Sequence, residues 1–404
     1  MLKKIAVADL RLGMHLHRFE GAWIDHPFWR ARFVIDDEAD LRAARACAVR
    51  ECWIDTAQGL DVAAAPIEAA TTVAAAPPLP IAPARTRPST MADELRQAAA
   101  LCRRSRAAVA SMFAEVRLGN ALDAEQCLPL VQEISDSVMR NPGALISLAR
   151  LKTADDYSYM HSVAVCALMV SLGRTLRFDD AACRQAGLAG LLHDMGKALM
   201  PIEILNKPGK LTDDEFTLMR SHPERGWQML QEGRGVGDAV LDVCLHHHEK
   251  MDGSGYPERL AGERITLLAR MAAVCDVYDA VSSNRPYKAG WDPAESLARM
   301  ASWKGHFDPP VFAAFVKSLG IYPTGSLVRL VSGKLAVVVE QNPLATTRPQ
   351  VKVFFSTQAN LPLPVQVLDL SNSSERIAGR EPREAWNFQL AMRASDSAGS
   401  QPAL

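Results

Sequence analysis

The spacing of apolar positions changes three times along the chain. Near the start, short strand-like runs at Trp29–Ile35 and Val49–Ile54 flank a helical stretch at Asp37–Ala48, which predicts a small α+β module over residues 1–60. Trp23, Trp29 and Trp53 are the expected core of that module. Residues 61–90 hold six prolines among alanines and threonines, with no apolar period, and read as a semi-extended linker. From Asp93 to about Leu319 the period is helical, giving a helical connector over 91–149 and a helical domain over 150–320. Thr153 with Asp156 resembles a capping box that opens a helix running to about Leu176. Asp179 can cap the next helix, which ends near His193. Thr212 with Glu215 forms a second box, Pro223 suits the first residue of a further helix, and Asp308-Pro309 opens the last. After Tyr322 the period shortens to two. LVRLV and LAVVVE flank Ser332-Gly333-Lys334 as a hairpin, VKVFF follows, and residues 321–388 form a small β appendage before a tail, 389–404, expected to be disordered. The fold class is mainly α.

Composition narrows the chemistry by exclusion. The 404 residues carry a formal net charge of -1, so no basic excess announces a nucleic-acid polymer as partner. The longest apolar stretch, Val163–Leu172, is broken by Ser171 and is short for a membrane span, and the N-terminus lacks the apolar run of a signal peptide. The cytoplasm is therefore the default location. Eight cysteines without a CxxC pair read as buried, reduced thiols.

Six of the ten histidines fall between His161 and His248. A lone histidine on an apolar face is usually a satisfied core residue, and His15, His17 and His26 are read as surface or structural. The group is harder to dismiss. His161 is in register with Ala164, Val165, Leu168 and Leu172 and points inward. Asp276 shares a face with Ala269, Ala272, Ala273 and Ala280, where small residues let a neighbouring helix approach. A carboxylate buried there needs a cation or a salt-bridge partner. His193-Asp194 ends a helix, and Gly196 is expected to terminate it and bring Lys197 beside the same site. At 100° per residue His247 and His248 face inward and His246 outward. With His222, these make seven candidate ligands: His161, His193, Asp194, His222, His247, His248 and Asp276. Imidazole and carboxylate suit a first-row divalent ion, and seven ligands exceed one tetrahedral site. A dinuclear centre follows, and two ions about 3.5–4 Å apart suit in-line displacement at phosphorus.

Spaced motifs then add a resemblance. HDMGK (193–197), SHPERG (221–226), HHE (247–249), DGSGYP (252–257) and DVYDAVSSNRPYK (276–288) closely resemble the HD-GYP subgroup of the HD metal-dependent phosphohydrolases, over roughly residues 150–320. AVADLRLGMHLHRFEGAW resembles the small module often found ahead of such domains. The resemblance implies an HD-type helical bundle that hydrolyses cyclic di-GMP to linear pGpG, and leaves open whether cleavage continues to GMP. It implies one metal on His161, His193, Asp194 and Asp276, and a second on Asp194, His222, His247 and His248, with iron or manganese as the ions. Lys197 would sit by the scissile phosphate, and Arg285 and Lys288 would contact phosphate oxygens, a role their fork and point charge suit. A glutamate four residues before His161 would support a third ion; Tyr157 stands there, so two are expected. The loop Gly255-Tyr256-Pro257 is either a plain turn or a wall of the substrate pocket or a protein-partner surface. A homodimer through residues 91–140 is expected by analogy. Two rivals stand beside this reading: another HD-type nucleotide hydrolase, and a catalytically silent cyclic di-GMP receptor.

Overall fold

A computed structural model of the chain describes residues 2–19, 33–45, 49–61, 91–150, 157–207, 209–284, 289–342, 344–382 and 385–386. Trp23, Trp29, His26, the proline-rich stretch, the Thr153–Asp156 start signal, the Tyr157 side chain, Arg285, Lys288 and the tail lie outside the described residues. The chain forms two compact units, Met1–Arg85 and Thr86–Leu404.

The first unit is a sheet of β1 (Leu2–Ala6), β2 (His15–Phe19), β3 (Phe33–Val34) and β4 (Glu51–Asp55) with one helix, α1 (Glu38–Arg45). The sheet order is β1-β4-β2-β3, and every pairing is antiparallel. Its interior is Ile5, Leu10, Met14, Leu16, Ile35, Cys52 and Ile54. Trp53 is not among them. Strand residues alternate faces, so with Cys52 and Ile54 fully buried the indole between them points away and stays half-buried. His15 is buried and His17 half-buried, and neither joins a group that could hold a metal.

The second unit begins with α2 (Met91–Arg117), α3 (Leu128–Arg140), α4 (Pro142–Arg150), α5 (Tyr157–Thr175) and α6 (Asp180–Leu192). Short helices α7 (Ile202–Leu205) and α8 (Asp213–Met219) lead to α9 (His222–Gln231) and α10 (Asp238–His246). Then come α11 (Leu267–Ser282), α12 (Pro293–Ser302) and α13 (Pro309–Leu319). Helix α5 is the hub. Residues Val163–Val170 are buried on all sides because α2, α4, α6, α11 and α13 pack around it. The local signals act at the expected places. Asp179 accepts the Ala182 N–H at 2.7 Å, Thr212 and Glu215 close a reciprocal capping box, and Asp308 accepts the Val311 N–H. Pro223 is the second residue of α9 rather than the first, since His222 already belongs to the helix.

Strands β5 (Leu327–Leu330), β6 (Lys334–Glu340), β7 (Gln350–Ser356), β8 (Leu361–Asp369) and β9 (Ile377–Arg380) form a sheet of order β8-β7-β6-β5-β9, antiparallel throughout. Gly333 takes φ 76° in the β5–β6 turn, where a side chain would be strained. The sheet is joined to the helices through Asp292. One carboxylate oxygen caps α12 at Ala294, and the other accepts the Leu327 N–H at 2.9 Å.

The connector helix is fastened by a buried charge. Glu94 is fully buried on α2 and accepts from Arg140 Nε at 2.7 Å, Arg140 Nη2 at 2.9 Å and Ser137 Oγ at 2.8 Å. Removing one member of such a set leaves the other charge poorly solvated. We expect Glu94→Ala to lower stability by about 2–3 kcal/mol, read as a lower urea midpoint by far-ultraviolet circular dichroism. A change below about 0.5 kcal/mol would show that α2 is held by apolar packing alone.

Candidate metal centre

Five elements deliver the candidate ligands to one place. His161 lies on α5, and His193 caps the end of α6 with Asp194 directly after it. His222 opens α9, His247 and His248 close α10, and Asp276 sits in the middle of α11. Two close approaches make the convergence possible. A Cβ on Gly190 would meet the Val165 carbonyl of α5 at 3.0 Å, so the backbones of α5 and α6 approach each other closely along this face. A Cβ on Gly196 would lie 1.9 Å from the His222 carbonyl oxygen. Gly196 therefore does not terminate α6, which stops at Leu192; it lies inside the 3-10 turn Met195–Leu199 and lets that turn press against α9.

Asp194 and Asp276 are the centre of the arrangement. Asp194 Oδ1 lies 3.1 Å from His222 Nε2 and 3.7 Å from His247 Nε2, while its Oδ2 lies 3.4 Å from the Nε2 of both His161 and His193. Asp276 Oδ1 is 3.0 Å from His161 Nε2 and 4.0 Å from His193 Nε2, and its Oδ2 is 3.7 Å from His248 Nδ1. Three overlapping groups have donor atoms within 4.8 Å of one another: His161–His193–Asp276, His193–Asp194–His247 and His222–His247–His248. All seven sequence-predicted ligands are thus brought together. Lys197 Nζ reaches Asp194 Oδ2 at 2.5 Å, and the Tyr256 ring lies 4.8 Å from that of His248. His246 stands apart, bonded to Asp242 at 2.8 Å and Glu258 at 3.3 Å.

The hydrogen bonds behind the imidazoles aim them. His193 Nδ1 donates to the Gly190 carbonyl at 2.8 Å, His222 Nδ1 to the Met219 carbonyl at 2.7 Å, and His247 Nδ1 to the Cys244 carbonyl at 3.0 Å. A carbonyl oxygen only accepts, so in each ring the proton sits on Nδ1 and Nε2 offers its lone pair to the centre. His161 Nδ1 instead meets Asp279 Oδ2 at 2.6 Å, and Asp279 Oδ1 accepts from Ser283 Oγ at 3.1 Å. Carboxylate and carbonyl partners of this kind fix tautomer and orientation in metal-binding histidines.

Electrostatics divide the cluster. Burial opposes charge on His161, but hydrogen bonds to Asp194, Asp276 and Asp279 override it and push the imidazole up to about 10. Burial also opposes the Asp194 charge, yet Lys197 and His193 hold its carboxyl well below the usual carboxylate range. Burial followed by the field of His248 and His193 keeps His247 far below its ordinary value, and burial with His222 takes His248 down to about 3. Neutral imidazoles and ionised carboxylates are the forms that coordinate a cation, so His247, His248 and Asp194 already stand in that form, and His161 would release its Nε2 proton as an ion binds. The donor set passes a further test of fit. His193 Nε2 and Asp194 Oδ1 are buried without a hydrogen-bond partner, a cost that a divalent ion would relieve.

Sequence reasoning missed three residues. Asp279 lies one turn after Asp276, so its position on the ligand face of α11 was readable from the second acid of DVYD. Glu249, the last residue of HHE, is buried and accepts the Glu258 N–H at 2.7 Å and the Leu260 N–H at 3.1 Å, tethering the loop that holds Tyr256. Arg220 places its guanidinium carbon 4.3 Å from the Tyr256 ring centroid, a contact no local pattern announces.

The chain matches the HD domain family over residues 134–311 and a domain of unknown function, DUF3391, over residues 2–127. It is 57% identical over 394 residues to cyclic di-GMP phosphodiesterase PA4108 of Pseudomonas aeruginosa, covering 96% of this chain and 94% of that protein. This chain belongs to the HD-GYP family. Within the family it is 38% identical over 180 residues to the cyclic di-GMP phosphodiesterase response regulator RpfG of Xanthomonas campestris, covering 42% of this chain and 47% of that one. It is also 41% identical over 123 residues to 3'3'-cGAMP-specific phosphodiesterase 2 of Vibrio cholerae, covering 30% of this chain and 24% of that protein. The matched HD region contains every ligand of the HD-GYP cluster described above. Divalent metal binding is a property of this family, and the cluster has the donors for it.

Two outcomes test the HD-GYP centre. Asp279→Asn keeps the shape but weakens the charge-assisted bond to His161, and we expect manganese affinity to fall by about 10–100-fold by calorimetry. Unchanged affinity would make Asp279 a mere core polar group. Glu249→Ala frees the Glu258 and Leu260 amides, so hydrogen exchange should rise across residues 255–260 while metal content is retained. Equal protection in both proteins would show that the loop is held by other contacts.

Proposed function

We propose that this chain is a cyclic di-GMP phosphodiesterase that hydrolyses the cyclic dinucleotide to linear pGpG. The observation that supports it best is the sharing of Asp194 and Asp276 among four buried imidazoles and the half-buried His248, in a chain 57% identical nearly end to end to a protein of that name. Two divalent ions are our reading of the cluster. Asp194 offers one oxygen toward His161 and His193 and the other toward His222 and His247, which is how a carboxylate bridges two sites. The absence of a cysteine from each donor group, with iron or manganese matching imidazole and carboxylate donors, supports the choice of metal.

When bound, such ions supply Lewis-acid charge and lower the pKa of water at the site. The protein's own residues do the rest. The Lys197 ammonium, held at the rim by Asp194, stands where it can offset negative charge growing on the phosphate. Tyr256 and His248 form a partly stacked wall beside it. Water adds to phosphorus, the bond from phosphorus to the 3' oxygen breaks, and that oxygen leaves with a proton, so a 5'-phosphate remains on the linear product. Asp279, Gly190, Met219 and Cys244 keep the imidazoles aimed throughout. No helix among the described residues is long and apolar enough to cross a membrane, and the cysteines among them are free, which supports a cytoplasmic enzyme.

Purified protein loaded with manganese or ferrous iron should convert cyclic di-GMP to pGpG, with the product followed by chromatography. Asp194→Ala should lose at least a thousandfold in rate, because it removes a ligand from both halves of the cluster. Binding of cyclic di-GMP without product would establish a receptor instead, and turnover of a mononucleotide in its place would establish another hydrolase of the HD type.

A further inference from the structure

Beyond the metal cluster, on the far side of Tyr256, lies a short row of side chains that metal binding does not use. Tyr256 has the His248 ring at 4.8 Å and the Arg220 guanidinium carbon at 4.3 Å. Arg220 in turn lies 6.0 Å from the ring of Phe216, one helical turn earlier on α8, and Phe216 is 53% exposed. The backbone fixes this geometry: the Arg220 N–H donates to the Phe216 carbonyl at 2.9 Å, and His222, two residues on, is a cluster ligand. Among the described residues the Arg220 guanidinium has no carboxylate partner, unlike Arg140 with Glu94, Arg270 with Asp308 or Arg299 with Glu295.

We propose that Arg220, seated on Tyr256 and flanked by Phe216, reads a guanine base of the substrate and discriminates it from adenine. This rests on the phosphodiesterase reading above. Positive charge for the scissile phosphate is already present at the cluster and at Lys197. Arg220 stands one ring further out, where the nucleoside of a phosphate held at the cluster would extend. A guanidinium that lies over a ring spends its face on the π system and keeps its edge N–H groups for another partner. Guanine offers two adjacent acceptors, O6 and N7, which match that fork. Adenine carries an N6 donor in place of O6 and would leave a donor facing a donor. The exposed Phe216 ring supplies an apolar platform on which a base can stack, whatever its identity. Recognition of the base is thus divided between a fork that selects and a ring that holds.

The test compares cyclic di-GMP, cyclic GMP-AMP and cyclic di-AMP, which share their phosphates and differ only in bases. Arg220→Lys keeps the charge and loses the fork, and Arg220→Gln serves as a second variant. Manganese content and the thermal midpoint check that each variant is folded. For either variant we expect kcat/KM on cyclic di-GMP to fall on the order of tenfold to a hundredfold, with cyclic di-AMP changed less than twofold. Equal losses on all three substrates would make Arg220 a phosphate contact, and no loss would make it a structural cation; either overturns the inference. Where turnover is too slow, the three dinucleotides are compared as ligands by calorimetry, with the same ratios expected. A wild-type protein that leaves cyclic di-GMP intact would defeat the phosphodiesterase reading alone, since the guanine preference is still read from binding.

Discussion

Two carboxylates held away from water dominate this molecule. Asp194 and Asp276 are ionised and nearly fully buried, a state costing several kcal/mol for each ion unless opposite charge or strong donors surround it. The helical unit meets that demand with imidazoles from α5, α6, α9 and α10 and an ammonium from the turn after α6. His193 and Lys197 stand close to Asp194 in sequence and His247 adjoins His248, but these groups are otherwise far apart along the chain. The cluster exists only when the helices are packed, so ordering of the site and folding of this unit are one event.

That dependence explains where small residues and secondary hydrogen bonds occur. Helix α5 could be an ordinary core helix but for His161, whose ring is turned by Asp279 on α11. Three other imidazoles need no charged partner because helix carbonyls three residues back accept their Nδ1 protons. The economy is geometric: at the end of a helix the last carbonyls lack intrahelical donors, so a histidine there satisfies one and points its other nitrogen outward. Ligands placed at helix ends are aimed by the backbone, whereas a ligand in mid-helix must be aimed by another side chain.

Most of the site was legible in the sequence for the same reason. His161 and Asp276 announced themselves by sharing faces with apolar and small residues, and the angular sorting of His246, His247 and His248 separated the outward ring from the inward two. The helix caps at Asp179, Thr212 and Asp308 were legible because capping is chemistry between near neighbours. What could not be read was contact across the fold. Arg220 meets Tyr256 from another element, and Glu249 reaches amides nine and eleven residues on, through a loop whose path no period encodes. Gly196 was misjudged in kind: glycine after a helix usually signals a left-handed end, but here the backbone of α9 needs the room. Trp53 was misjudged because size alone suggested burial, while its strand neighbours Cys52 and Ile54 had already taken the inner face.

The contact at Gly196 also sets how far this sequence can drift. A single methyl carbon there would fall 1.9 Å from the His222 carbonyl oxygen, and one on Gly226 would fall 2.9 Å from the Gly196 amide nitrogen. The two strands of backbone have reached the limit of mutual approach, so neither position can accept the smallest possible addition unless the other retreats. An alanine at either would act as a wedge, parting the carboxylate of Asp194 from the ring of His222 without altering any ligating side chain. The working volume of the centre is thus guarded by two hydrogens, and a lineage that lost them would retain its full set of metal-binding side chains and lose their convergence.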